Sequence, residues 1–334
     1  MPKFTYIIKR IAGMDYGAMV RTAKTVHERT GKNTLAVLAD IISCGLRYQA
    51  GYMDYLVFEF YTLTAAQRAT YITRGVNNRY VSLLNPRENW HLLEDKVEFL
   101  KRFDGFHGRD WVDLRVCGKE GFEAFCKKHS QMVAKPLDGT CGRGVEFIEQ
   151  SEKSEIVGLY EMLMQGGQYL VEAFIVQHPL VSHIYPLSVN TLRLVTIKNH
   201  DTVHLVFFSM RIGNGKRVDN LNSGGMAVIV DMEAGEICTP GADKDGKAYY
   251  THPLTGVALV GAKIPFCKES AVKQAAMRIP ELGYIAWDVA LTEKGPIIIE
   301  ANHFPGHDIY QFQVHLGADK IGLAPRFDKA VEGI

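Results

Sequence analysis

Apolar residues recur at helical spacing through the first hundred positions and at strand spacing through most of the second half, with both periods interleaved in between. From Asp15 to about Phe103 the pattern predicts helices. DYGAMVRTAKTVHERTG closes on a glycine suited to a helix C-terminus, and NTLAVLADIISCGLRY opens on Asn33, an N-cap residue. LTAAQRATYI sets Thr64 and Gln67 at the spacing of a capping box. NPRENWHLLEDKVEFLKRFDG reads as one helix, with Asn85 as N-cap, Pro86 at the first helical position, Glu88 completing a second capping box and Gly105 beyond the end. Leu93, Val97 and Leu100 form its apolar stripe, and Lys96 emerges beside that stripe.

Between Arg115 and Gln177 the periods alternate: a helix KEGFEAFCKKHS, a strand QMVAKP, a glycine loop, a strand GVEFIE, a helix SEIVGLYEMLMQG and a strand YLVEAFIV. The remainder is strand-rich, with NTLRLVTIKN, VHLVFFSMRIG, GMAVIVDME, YIAWDVALT and PIIIEAN separated by glycine and polar turns. This order predicts an α+β fold: a helical N-terminal region over 1–105, a small lobe with the glycine loop over 106–177, and a larger α+β lobe over 178–334.

Composition narrows the function. The chain has 334 residues, 47% of them hydrophobic and 22% charged, as expected of a globular protein. A formal net charge of +1 excludes a broadly basic face, so binding to nucleic acid through many phosphates is not expected. The N-terminal apolar run is short for a secretory signal, and no stretch of about 18 apolar residues marks a membrane span, so a cytoplasmic location without membrane insertion is expected. Six cysteines (Cys44, Cys117, Cys126, Cys141, Cys238, Cys267) lack CxxC spacing and partner histidines, which predicts free thiols.

Two stretches carry chemistry. In KPLDGTCGRGVEF, Gly139, Gly142 and Gly144 let backbone amides converge beside Lys135 and Arg143, as in a phosphate nest; a plain hairpin turn would use the same glycines. The lysine precedes the glycines and a strand follows them, so the stretch is not a Walker loop, and no kinase HRD or DFG string accompanies it. In IAWDVALTEKGPIIIEANHFPG, a three-residue turn Glu293–Lys294–Gly295 pairs Thr292 with Pro296 and sets Asp288 opposite Glu300. Two carboxylates about 5 Å apart repel by roughly 3 kcal/mol at an effective dielectric near 20, so a cation is expected between them. Alternation adds Asn302 to the same face, giving an all-oxygen set suited to Mg²⁺.

In order and spacing these features resemble the ATP-grasp superfamily from about Asn85 onward: Lys96, then Lys135 with its glycine loop, then YLVEAFI, then D…E.N. EFYTLTAAQRATYI, GRDWVDL, SVNTLRLVT and GHD are similar to the sugar-transfer-associated ATP-grasp family. The resemblance implies two lobes holding ATP between them, with adenine at a hinge formed by Glu172, Ala173, Phe174 and Ile175 and an acidic side chain near the ribose. It further implies Lys96 and Lys135 on the phosphates with Gly142 and Gly144, Asp288, Glu300 and Asn302 on Mg²⁺, and Arg193, Arg211 and Asn220 facing the transferred phosphoryl. Ser223, Gly224 and Gly225 would receive a substrate carboxylate. His303 and His307 flank the FPG stretch, and His307 is the candidate substrate contact. The leading expectation is an ATP- and Mg²⁺-dependent ligase joining a small-molecule carboxylate to an amine through an acyl phosphate, in glycan or secondary-metabolite modification. A phosphotransferase acting on a hydroxyl and a non-catalytic nucleotide-binding scaffold are the alternatives.

Overall fold

The computed structural model of the protein describes residues 15–137, 144–149, 156–265 and 269–334. It divides into two compact units, Met1–Arg79 with His307–Pro325, and Tyr80–Gly306 with Arg326–Ile334.

The first unit is helical. Its helices are α1 (Tyr16–Thr30), α2 (Thr34–Tyr48), α3 (Tyr52–Val57) and α4 (Ala65–Arg68); the division falls within α5 (Arg74–Leu84). Asn33 accepts first-turn amides, Gly31 takes the left-handed conformation, and Thr64 with Gln67 forms the capping box, as expected, while Asp15 caps α1 by accepting from Ala18. Tyr55, Phe58, Phe60 and Tyr71 interlock as its aromatic core. The return segment is tied in by buried polar bonds. Gln311 Oε1 accepts from the amides of Ile72 and Leu323, and His307 Nε2 lies 2.7 Å from Asp54 Oδ1.

The second unit begins with α6 (His91–Glu94) and α7 (Lys96–Arg102), and here the structure departs from the single helix read over 85–105. Asp95 is extended, interrupts the helix, and its carboxylate caps α7 by accepting from Val97 and Glu98. Asn85 caps no helix. It is buried and bonds four backbone groups: the amides of Gly283 and Tyr284 and the carbonyls of Tyr284 and His303. Long-range backbone partners have outcompeted a local cap. Asn85→Ala would leave those groups buried and unbonded, and is expected to lower unfolding free energy by about 2 kcal/mol, read as a lower urea midpoint at unchanged m-value.

A four-stranded antiparallel sheet, in order β1-β4-β2-β3, combines β1 (Trp111–Asp113), β2 (Gln131–Lys135), β3 (Glu146–Glu149) and β4 (Leu170–Ala173). Helices α8 (Leu114–Lys128), kinked at Gly118, and α9 (Ile156–Gln165) pack on it through a core that includes Phe122, Phe125, Met132, Leu163 and Val171. A short α10 (Pro179–Ile184) then leads to the larger sheet. That sheet is seven-stranded and antiparallel in the order β11-β10-β7-β6-β5-β12-β13. Its strands are β5 (Thr191–Asn199), β6 (Thr202–Ile212), β7 (Met226–Val228), β10 (Gly241–Ala242), β11 (Ala248–Tyr249), β12 (Tyr284–Thr292) and β13 (Gly295–Asn302). The GMAVIVDME stretch is not one strand: it breaks at Ile229, and β8 (Val230–Asp231) pairs with β9 (Glu236–Ile237) in a separate two-stranded sheet. α11 (Ser270–Met277), like α10, has no counterpart in the sequence expectation.

One face of the large sheet is core. Leu192, Leu194, Trp287 and Val289 pack there with Phe99 and Phe103 of the α7 segment and with Val272 and Ala275 of α11. The other face carries the polar row described next. No helix among the described residues is long and apolar enough to cross a membrane, and Cys44, Cys117, Cys126 and Cys238 are free thiols.

Candidate active site

Strand register builds the centre of the site. Asp288 on β12 sits directly opposite Glu300 on β13 and, on its other side, opposite Arg193 on β5. Arg193 in turn faces Ser209 on β6, so Ser209, Arg193, Asp288 and Glu300 form one cross-strand row on one face. The β12–β13 turn is shorter than expected, with Thr292 paired to Gly295, whose φ of 113° suits glycine. Alone, that turn would put Asp288 out of register with Glu300. A β-bulge between Asp288 and Val289 restores it: Val289 pairs with Ile298, and the ladder steps over Ile299 to set Asp288 against Glu300.

Two arginines converge on Asp288. Arg193 Nε lies 2.9 Å from Asp288 Oδ1, and Arg211 Nη2 donates to Oδ2 at 2.9 Å. Arg211 also donates to Thr191 Oγ1 and lies 3.4 Å from Asp219 Oδ2, which itself accepts from the Thr191 amide and hydroxyl. Burial alone would raise the Asp288 carboxyl, but the two guanidiniums outweigh it and hold Asp288 below the ordinary range. Asp219 goes the other way, because burial outweighs the arginine beside it. Burial would lower Arg211, yet Asp219 and Asp288 keep it firmly protonated.

Glu300 is open to the solvent of the cleft on one side and enclosed by protein on the others. That enclosure, followed by the facing Asp288, raises its carboxyl above the ordinary range. Two carboxylates therefore stand opposed here, Asp288 ion-paired to both arginines and Glu300 pushed toward protonation by its enclosure and by Asp288. Asp288 Oδ1 is buried without an aligned hydrogen-bond donor, although Arg193 is near. Asn302, two residues along from Glu300, lines the same cavity. An all-oxygen set of Asp288, Glu300 and Asn302 is of a kind that suits Mg²⁺. Among the described residues there is no cluster of three His, Cys, Asp or Glu side chains placed to hold a metal, so an ion at Asp288 and Glu300 would draw its remaining ligands from Asn302, water or bound phosphate.

At the lysine end, Lys135 ends β2 and forms an ion pair with Glu172 on β4, whose other oxygen accepts from Arg109 Nε at 3.0 Å. Glu172 is only 3% exposed at its side chain, and Arg109 4%. Burial would raise the glutamate, but Arg109 and Lys135 hold it at about 2. Glu172 thus fixes Lys135 through an ion pair while lining both chambers described next. Lys96 opens α7, and its ammonium donates to the Leu137 carbonyl just past Pro136.

Two adjoining chambers share Lys96, Lys135, Glu172, Arg211, Asn220 and Glu300. The larger, about 390 Å³, also includes Arg193 and Asn302 and runs on to Glu94, His303 and Phe304. The smaller, about 170 Å³, is walled by Val133, Phe147, Ala173, Phe174, Ile175 and Val189. Arg217 stands over the Phe147 ring, which meets Phe174 edge-on, giving an aromatic and apolar slot suited to a planar base. The Ala173 and Phe174 amides already donate to Asp110 and Gln131 carbonyls.

The expected carboxylate-binding turn is not brought to either chamber. Ser223 and Gly225 donate their amides to the Asn220 carbonyl and Gly224 to that of Leu221, so all three amides close the turn itself. Gly225 is needed for packing, since a Cβ there would lie 2.4 Å from the Asp219 carbonyl oxygen. His307 belongs to the other unit, where Asp54 engages it and accepts the Gly51 and Arg74 amides through its second oxygen. It is buried there. His303, in contrast, lines the larger chamber, packs on Trp90 with centroids 4.5 Å apart, and lies 3.5 Å from Glu94 Oε1. Burial lowers its imidazole despite Glu94. Gly144 takes a φ of 70°, and its carbonyl accepts from Gln168, while Gly139, Gly142 and Arg143 lie outside the described residues. The residues that sequence reasoning missed are Arg109, Thr191, Asp219 and Glu94. Arg109 lies within the GRDWVDL stretch, but nothing in its spacing names a partner 63 residues away.

A family model described as sugar-transfer associated ATP-grasp matches residues 75–329. Among solved structures, the ATP-grasp ligase PsnB complexed with minimal precursor is similar at 12% identity and a TM-score of 0.43, covering 81% of this chain and 72% of that one. D-alanine–D-alanine ligase from Bacillus anthracis is similar at 14% identity and a TM-score of 0.43, covering 76% and 72%. N5-carboxyaminoimidazole ribonucleotide synthetase from Thermus thermophilus follows at 13% and 0.40, covering 69% and 51%. Comparison with curated proteins gave no match.

Proposed function

This chain belongs to the sugar-transfer-associated ATP-grasp family, and on that basis we propose that it is an ATP- and Mg²⁺-dependent ligase joining a small-molecule carboxylate to an amine through an acyl phosphate. One arrangement supports this reading above the others: a continuous cleft with lysines at one end, an arginine-flanked pair of opposed carboxylates in the middle, and Glu94 with His303 at the far end. Each third of the cleft suits one reactant.

The apolar slot would take the base, and Lys96 and Lys135 the phosphates, each ammonium held toward the cleft by a fixed acceptor. Asp288, Glu300 and Asn302 would hold magnesium, which when bound neutralises charge on the phosphates. Arg193 and Arg211, which line the larger chamber, would stabilise the charge that develops as the carboxylate oxygen attacks the terminal phosphorus, forming an acyl phosphate and ADP. Arg211 stays cationic throughout, because Asp219 and Asp288 stabilise its charge. In the second step the amine attacks the acyl carbon, phosphate leaves with the bonding pair, and the amine loses a proton. Glu94 offers a carboxylate to an incoming ammonium, beside an imidazole that burial keeps toward its neutral form.

Lys135→Ala should leave the fold intact, since Arg109 still neutralises Glu172, and weaken ADP binding about tenfold in a calorimetric titration. Wild-type affinity in that variant would remove Lys135 from the site. The reaction class is tested with hydroxylamine in place of the amine, against a panel of amino acids and sugar acids with Mg²⁺–ATP. A ligase yields a hydroxamate with the carboxylate it accepts. A phosphotransferase releases ADP only with a hydroxyl acceptor and gives no hydroxamate, which would overturn the acyl phosphate.

A further inference from the structure

Residues 106–110 bond to both sheets of the second unit. The Phe106 carbonyl accepts from the Ile298 amide on β13 at 2.8 Å, and the Asp110 carbonyl accepts from Ala173 on β4 at 2.9 Å. Between them Gly108 adopts a φ of 55°, and a Cβ there would lie 2.3 Å from Ile297 Cγ2, so the strap fits against β13 only with glycine. This places Arg109 with its whole fork engaged. Nε and Nη2 bond Glu172, Nη1 donates to the His107 and Ile298 carbonyls at 3.1 and 3.0 Å, and Nη2 donates to the Ile299 carbonyl at 3.2 Å.

Ile298 and Ile299 are the residues of the β-bulge. The ladder steps over Ile299 so that Glu300 faces Asp288, and carbonyls at such a step need a partner from elsewhere. The same guanidinium holds Glu172, the carboxylate that fixes Lys135. We propose that Arg109 is a positioning residue that couples the phosphate-binding lysine to the metal-binding carboxylate, a deepening of the nucleotide reading on which it rests. One planar cation sets the ammonium of Lys135 through Glu172 and the carboxylate of Glu300 through the bulge. A lysine at this position would neutralise Glu172 but, as a point charge, could not also span two successive carbonyls.

The test titrates ADP calorimetrically into the wild type, Arg109→Lys and Gly108→Ala, each in EDTA and in excess Mg²⁺. Gly108→Ala retains every charge and displaces the strap, so it decides the matter if Arg109→Lys does not fold. The wild type is expected to bind ADP at least about tenfold more tightly with Mg²⁺; Arg109→Lys, which still neutralises Glu172, should keep its EDTA affinity within about threefold and lose most of the metal-dependent gain, while Gly108→Ala, which displaces the whole guanidinium, should lose affinity in both buffers with an unchanged circular dichroism spectrum. Folded Arg109→Lys with the full gain, or with equal losses in both buffers, overturns the coupling, as does folded Gly108→Ala with wild-type affinity. A wild type that binds no ADP in either buffer overturns the nucleotide reading itself, and the coupling with it.

Discussion

Glu300→Gln is expected to reduce turnover by about a thousandfold while leaving the protein as stable as the wild type or slightly more so. The activity loss would follow from removing one of the two opposed carboxylates proposed to hold a divalent ion, a contribution of about 4 kcal/mol to transition-state charge stabilisation. The stability result follows from the sign of the Glu300 shift. Its carboxyl is raised in the folded state by enclosure and by Asp288, so the ionised form costs stability at every pH above its folded pKa. Glutamine removes that cost and keeps the shape. Urea midpoints at neutral pH should therefore be equal or higher in the variant, and the gap should close as pH falls toward the ordinary glutamate range. A variant that loses activity only because it unfolds would show a lower midpoint, contradicting this assignment.

Glu172→Gln should be the opposite kind of variant, losing roughly 3–5 kcal/mol of unfolding free energy, because it leaves Arg109 and Lys135 facing one another with no buried anion between them. The pH dependence follows the same pair. Glu172 is held at about 2 against an ordinary 4.5, so its ionisation stabilises the fold fully above pH 4.5 and that stabilisation is lost as pH falls toward 2. A stability–pH profile should fall between pH 4.5 and 2 in the wild type, and the glutamine variant should lack that component. Equal slopes in the two proteins would mean that the ion pairs do not form.

What the sequence revealed tracks how local each determinant is. Asp15, Asn33 and the Thr64–Gln67 box act on amides within three residues, and their helices begin where expected. The hairpin turn read between YIAWDVALT and PIIIEAN made the opposed carboxylates legible. Yet the expected register came through two offsetting features, a turn one residue shorter and a bulge one residue longer, neither written in the local pattern. Asn85, which looks like a cap, is instead bound to strands about 200 positions away. Glu172 is placed at a hinge by the family resemblance, and its two ion-pair partners, Arg109 and Lys135, lie 63 and 37 positions away in sequence. In each case a long-range partner decided the role of a side chain whose neighbours in sequence favoured another. The glycines at 224 and 225 show the same limit: the family resemblance implied a carboxylate-binding turn, but the amides close on the turn's own carbonyls.

Crystals grown with ADP and Mn²⁺ in place of Mg²⁺, measured at the manganese absorption edge, test the central claim most directly. The expected result is an anomalous peak within coordination distance of both the Asp288 and Glu300 carboxylates, with the diphosphate running from it toward Lys96 and Lys135. Bound ADP with the manganese elsewhere, or with Asp288 and Glu300 untouched by it, would contradict the account.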